Sequence, residues 1–139
     1  MATRAKTFSY AVSLDRDWTG TSDRGGGSLP DDKGWTPEHL LLAGLARCTL
    51  TSLRHHARLA GIAATGAADA RGRVTRREED ERYAFVELDV ELDVSFEPPP
   101  QDVRELLAKA ERDCFVGASL TVKPTYRWRV NGAPVGSQA

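Results

Sequence analysis

The residues with the greatest chemical capacity in this 139-residue chain are its two cysteines, Cys48 and Cys114. A thiolate is a potent nucleophile near neutrality, and two thiols that meet can also cycle through a disulfide. In a reducing compartment a lasting structural disulfide is disfavoured, so the pair is either two buried, inert thiols or a redox-active couple. Counting does not separate these readings, because free cysteine is among the most buried residue types.

Other constellations are weaker. His39, His55 and His56 together with the cysteines invite a zinc site. However, Cys48 and His55 lie two helical turns apart, about 10 Å along an axis, too far to chelate one ion, and the sequence has no Cys-x-x-Cys or His-x-x-x-His pair. No Gly-x-Ser-x-Gly elbow supports Ser–His–Asp hydrolysis. The glycine-rich run Arg24–Gly34 lacks the Gly-Lys-Ser/Thr ending of a phosphate loop. Trp18, Trp35 and Phe115 either line an apolar mouth or serve core or dimer packing.

The elements that must position the cysteines follow from periodicity and punctuation. Thr7–Leu14 reads as a first strand, with Arg16–Ser22 as its hairpin partner, before the glycine-rich loop. Thr36-Pro37-Glu38 is a helix start, with a hydroxyl N-cap, proline at the first helical position and an acid at the positive end of the dipole. The helix is expected to run to about Ala60 and end at Gly61. Its first half, Leu40–Ala46, is apolar nearly all round, predicting central burial. Its second half carries Arg47, Arg54, His55, His56 and Arg58, which predicts a solvated surface for the histidine pair.

The small residues Ile62–Ala70 read as a connection, Arg71–Arg77 as a strand edge and Glu78–Arg82 as a turn. Tyr83–Phe96 is the clearest strand, with apolar residues at even positions from Val86 to Phe96 and the acids Glu87, Asp89, Glu91 and Asp93 at odd ones. Pro98–Pro100 stops it. A second helix is predicted from Gln101 to about Cys114, so both cysteines fall on helices. The last strand is predicted over Leu120–Val130, with Leu120, Val122, Tyr126, Trp128 and Val130 inward and Lys123, Arg127 and Arg129 outward. Pro124 suggests an edge or bulge there. The acidic face of the 83–96 strand and this basic one are expected to pair across neighbouring strands. The fold class is α+β, an antiparallel sheet packed with a long central helix and a second helix, in a single domain over 1–139 whose residues 131–139 form a frayed tail.

Bulk composition restricts the function classes. The chain is 40% hydrophobic and 28% charged with net charge −1, as expected of a globular protein. Its arginines alternate with acids, so no nucleic-acid partner is expected. The start lacks a signal-peptide apolar stretch and no run approaches membrane-spanning length, so no membrane partner and a cytoplasmic location are expected.

Thr36-Pro-Glu-His-Leu-Leu-Leu-Ala-Gly-Leu-Ala-Arg-Cys48 resembles the first signature of the OsmC/Ohr superfamily (osmotically inducible protein C and organic hydroperoxide resistance proteins). In that signature a cysteine follows the helix-start glutamate by ten positions. Ala110-Glu-Arg-Asp-Cys-Phe-Val-Gly-Ala-Ser-Leu120 resembles the second, in which the other cysteine ends a helix before the final strand. The predicted element order agrees with the family over nearly the whole chain. One departure is Phe115, where the family commonly has proline.

The resemblance implies an OsmC-like intertwined homodimer with active sites at the subunit interface. It also implies thiol peroxidase activity on small hydrophobic organic hydroperoxides, with no bound cofactor and recycling by an external dithiol such as a lipoyl group. By motif position, Cys48 is the peroxidatic cysteine, Cys114 the resolving one and Glu38 the acid of the site. Arg16, in Leu14-Asp-Arg-Asp17, best matches the family's arginine, with Arg24 as the alternative. In that chemistry a fixed guanidinium favours the Cys48 thiolate, whose attack leaves a sulfenic acid, and Cys114 condenses with it to a disulfide that a dithiol reopens. Ten helical residues separate Glu38 from Cys48 by roughly 15 Å, so a catalytic Glu38 serves the cysteine of a neighbouring subunit; otherwise it is simply a helix-start acid. The competing readings are a non-catalytic binding protein with inert thiols and a redox sensor on the same fold.

Overall fold

The Thr36-Pro37 start does what its chemistry dictates. Thr36 Oγ1 accepts the His39 amide at 3.2 Å and meets His39 Nδ1 at 2.7 Å. Helix α1 then spans Pro37–Leu59. Its end is a glycine cap: Gly61 has φ +74°, and the Ile62 amide reaches back to the Ala57 carbonyl at 2.8 Å. The structure, a computed structural model, describes residues 5–135. It divides into two compact bodies, Met1–His39 and Leu40–Ala139.

In the first body, β1 (Val12–Leu14) and β2 (Gly20–Ser22) pair antiparallel, so the predicted hairpin forms with both strands shorter than expected. The Asp15 carboxylate accepts the amides of Asp17 and Thr19 and builds the turn that carries Arg16 and Trp18 (φ +65°). Phe8, Tyr10, Val12, Leu14 and Trp18 are all more than half exposed.

The second body is a four-stranded sheet covered by α1 and α2 side chains. Strands β3 (Ala63–Arg76) and β4 (Tyr83–Glu97) form a long antiparallel hairpin. Its turn is closed by the Arg77 amide on the Arg82 carbonyl at 2.9 Å and by the Arg77–Asp80 ion pair. Where a connection was expected, Ile62–Ala70, the chain is strand from Ala63. Alanine and glycine give little strand propensity, and it is the unbroken register with β4 that sets this stretch.

Helix α2 (Val103–Arg112) is capped by Asp102, whose carboxylate accepts the Glu105 amide at 3.1 Å, and a short helix α3 (Phe115–Ser119) follows. Strand β5 (Thr125–Val130) lies on the other side of β4, and β6 (Ala133–Pro134) pairs with β5. The α+β class holds, but β4 and β5 run parallel, because α2 and α3 form a crossover instead of a hairpin. The strand begins at Thr125, just past Pro124, later than predicted. Gly132–Val135 are not frayed: Ala133 and Pro134 pair with β5, and the Val135 amide donates to the Trp128 carbonyl at 2.9 Å. Residues 136–139 lie outside those described.

The period-two reading of β4 holds from Leu88 to Phe96 and fails at Val86, where the register with β3 shifts and Phe85 packs against the core instead. Leu88, Val90, Leu92, Val94 and Phe96 are buried and pack with Leu45 and Leu53 of α1 and Leu106 and Leu107 of α2. On the opposite face the charge pairing expected with the last strand is present as Arg127–Glu91 (3.6 Å), and β3 adds two pairs that were not expected, Arg71–Glu91 (2.9 Å) and Arg73–Glu87 (2.9 Å). These exposed pairs act on register and solubility more than on stability. The first half of α1 departs from its predicted burial. Leu45 is buried, but Leu41 and Leu42 are half-buried, and Leu40 and Ala43 are exposed.

Candidate active site

Cys48 lies near the middle of α1, with Leu45 and Thr49 turned into the core beside it. Cys114 is not on α2, as the helical spacing suggested. Helix α2 stops at Arg112, Asp113 is its C-cap, and Cys114 is the N-cap of α3. Its sulfur plays the part usually taken by a serine or threonine oxygen, accepting the Gly117 amide at 3.4 Å. The next amide back, that of Val116, donates to Cys48 Sγ at 3.5 Å. Two consecutive peptide groups thus each hold one sulfur, and both thiols are free.

The two sulfurs differ in setting. Cys114 is fully buried, whereas Cys48 is half-buried. Thr49 Oγ1, also fully buried, lies 3.5 Å from Cys114 Sγ and 2.9 Å from the Leu45 carbonyl, donating toward both. From β5, the half-buried Tyr126 hydroxyl reaches the same spot. Burial pushes its pKa up to about 12, the charge of Cys114 adds to the rise, and a hydrogen bond with Thr49 opposes it.

Burial raises the Cys48 pKa, the Val116 amide lowers it, Cys114 raises it by hydrogen bonding and charge, and the Phe115 amide lowers it. None of these influences is a cation. The Phe115 contribution bears on the departure from the family pattern, since a proline there would have no N–H to offer.

A second polar cluster fixes the α2–α3 junction. Asp113 is held bidentate by Arg112 (2.9 Å twice) and by His56 Nε2 at 2.7 Å. The Arg112 hydrogen bonds, followed by that of His56, hold its carboxyl down at about 2. His56 is therefore no surface histidine, its side chain being only 14% exposed. Nearby, Trp128 Nε1 donates to Glu111 at 2.8 Å, and burial raises the Glu111 pKa.

The other predicted site residues lie in the first body. Arg16 is exposed in the β1–β2 turn. Arg24 places its guanidinium 5.0 Å from the centre of the Tyr10 ring, and Glu38 is in the first turn of α1. Trp18 and Phe115 are 68% and 55% exposed and Trp35 is also exposed, so none is a core residue of this chain.

Sequence reasoning brought the two cysteines together but missed Thr49, Tyr126, His56 and Asp113. The signals were faint: a threonine beside Cys48, a Cys-x-x-Gly spacing suited to a capping sulfur, and an inward tyrosine on the last strand. Among the described residues no helix is long and apolar enough to cross a membrane.

No curated protein matches the chain. Solved structures do. An OsmC-like protein of unknown function from Vibrio cholerae has a TM-score of 0.68 at 13% identity, covering 89% of this chain and 99% of its own. An OsmC-like protein from Mycoplasma pneumoniae has 0.63 at 17%, covering 91% and 99%. The organic hydroperoxide resistance protein OhrB of Bacillus subtilis has 0.58 at 21%, covering 89% and 98%. At such identities they show a shared fold. The sequence profile described as OsmC-like protein matches residues 30–129, a stretch that includes both cysteines and every element from α1 to the greater part of β5. With fold and profile in agreement, the chain belongs to the OsmC-like protein family.

Proposed function

We propose that this protein is a thiol peroxidase that reduces organic hydroperoxides to alcohols. The observation that carries the reading is the seating of Cys48 and Cys114, remote in sequence, on adjacent amides of one turn. Family membership supports it, and relatives of the same fold are named organic hydroperoxide resistance proteins. In the reaction the Cys48 thiolate attacks the outer peroxide oxygen, the O–O bond breaks, and the alkoxide leaves as the alcohol after taking a proton. Cys48 becomes a sulfenic acid. Cys114 displaces its hydroxyl as water, forming the disulfide, and an external dithiol restores both thiols.

The groups around Cys48 within its own body leave its pKa raised, so the mechanism needs a cation from elsewhere. Arg16 is the candidate, with Arg24 as the alternative, and Glu38 would orient the guanidinium. A homodimer is part of this reading, supported by the exposed apolar side chains of Phe8, Tyr10, Val12 and Leu14 and by the half-exposed start of α1. The test is consumption of cumene hydroperoxide with dihydrolipoamide as reductant. Cys48→Ser is expected to abolish it. Cys114→Ser is expected to lose disulfide cycling while retaining a single turnover. Undiminished consumption in Cys48→Ser overturns the assignment.

One observation favours a second reading, a non-catalytic binding protein with inert thiols: burial raises the Cys48 pKa, which suppresses reactivity. Alkylation of the native protein separates the two. The peroxidase modifies rapidly at Cys48 near neutral pH, whereas inert thiols react only after unfolding.

A further inference from the structure

The donors of this site are distributed unequally between its two sulfurs. Groups from three elements converge on Cys114: the Thr49 hydroxyl of α1 at 3.5 Å, the Gly117 amide of α3 at 3.4 Å and the Tyr126 hydroxyl of β5. Cys48 is met by the backbone amides of Val116 and Phe115 and, apart from Cys114 itself, by no side-chain donor among the described residues. Cys114 is also sealed from solvent, whereas Cys48 is partly open. The seat of Tyr126 is tightly defined, for a Cβ placed on Gly117 would stand 2.8 Å from its hydroxyl oxygen.

We propose that Thr49 and Tyr126 hold Cys114 as the leaving sulfur, so that a dithiol reopens the Cys48–Cys114 disulfide by attacking Cys48. The inference rests on the redox pairing of the two cysteines in the function proposed above, and it adds the direction of the exchange. The two requirements of thiol–disulfide exchange select the same sulfur. The attacked atom must be reachable, which describes Cys48, and the departing atom must have its charge stabilised, which describes Cys114.

In the first step one thiolate of the dithiol forms a bond to Cys48 Sγ. The Sγ–Sγ bond breaks, and its electron pair stays on Cys114. The hydroxyls of Thr49 and Tyr126 receive this charge together with the Gly117 amide, and Cys114 then takes up a proton that solvent ultimately supplies. In the second step the other thiol of the dithiol attacks its own sulfur in the mixed disulfide and releases Cys48. The reductant loses two electrons and becomes a disulfide, and the protein gains two thiols. Thr49 can serve without leaving its helix, because its hydrogen has two acceptors in reach, the Leu45 carbonyl and Cys114 Sγ. Burial keeps Tyr126 protonated, and hence a donor, throughout the neutral range.

The test forms the disulfide in the full-length protein with diamide, so no peroxidase activity is required. Reopening by 2-mercaptoethanol is quenched early, freed thiols are alkylated with iodoacetamide after denaturation, and the adducts are located by peptide mass spectrometry. The mercaptoethanol adduct is expected on Cys48 and the alkyl group on Cys114. Reopening by dithiothreitol is expected to slow by about tenfold in Thr49→Val and in Tyr126→Phe, with Thr49→Ser restoring the wild-type rate. A mercaptoethanol adduct on Cys114, unchanged reopening in both hydroxyl-deletion variants, or failure of diamide to join the two cysteines overturns the proposal. Absence of hydroperoxide consumption alongside the expected adduct pattern would sink the peroxidase reading and leave the direction of exchange standing.

Discussion

At the scale of single residues, the Cys48 thiol is balanced between burial and Cys114, which raise its pKa, and the amides of Val116 and Phe115, which lower it. A raised pKa reduces the thiolate present at neutral pH, so modification of Cys48 should climb with pH through a point above that of an ordinary thiol unless a cation intervenes. Phe115→Pro isolates one contribution. The position is the first of α3, where proline's φ is tolerated, and the change removes the amide hydrogen together with a phenyl ring that is 55% exposed. The inflection of the iodoacetamide rate against pH is expected to move upward in Phe115→Pro and downward in Cys114→Ser, each relative to wild type. Arg16→Ala should raise it further and slow hydroperoxide consumption by roughly 10- to 100-fold, as loss of a nearby opposite charge does. No change in Arg16→Ala would pass the role to Arg24.

At the scale of elements, two glycines in regular structure make opposite predictions. Gly66 lies on β3, where an added Cβ would stand 2.6 Å from Val94 Cγ1 and 2.7 Å from the Asp93 carbonyl oxygen. A backbone atom cannot yield as a side chain can, so Gly66→Ala is expected to destabilise by about 1–3 kcal/mol in urea unfolding. Gly44 lies within α1 and an added Cβ meets nothing within 4 Å, so Gly44→Ala should stabilise a lone chain by about 1 kcal/mol. The same contrast explains what could be read in advance. Strand β4 announces itself because each inward position is apolar and each outward one from Glu87 to Asp93 acidic, and α1 because Thr36, Pro37 and Gly61 mark its ends. Strand β3 does not, because alanines and glycines form a strand there only through a partner far along the chain. The parallel sense of β4 and β5 was hidden for the same reason: it depends on where α2 and α3 carry the chain.

At the scale of the whole molecule, the apolar groups left exposed predict association. The proposed homodimer should appear as twice the chain mass in light scattering of the eluted protein, and Leu14→Asp should weaken it, Leu14 being 63% exposed here. A monomer at micromolar concentration would remove the partner on which the Glu38 role depends. Association also qualifies the Gly44 prediction, since a subunit packed on that face turns the gain into a loss and weakens the dimer. Of the site, the two thiols were legible because their motifs are local. The source of the cation was not, since only the family pattern points to Arg16, and the hydroxyl groups around Cys114 come from α1 and β5, which sequence spacing does not relate.

The sulfur of Cys114 is also a piece of secondary structure. It closes the first turn of α3 through the Gly117 amide, so replacing Cys114 by alanine deletes a thiol and a helix cap together. Serine keeps an acceptor at a position that favours it, and alanine there costs about 1 kcal/mol. Any loss of turnover in an alanine variant would therefore mix a chemical deficit with a mechanical one, whereas serine isolates the chemistry.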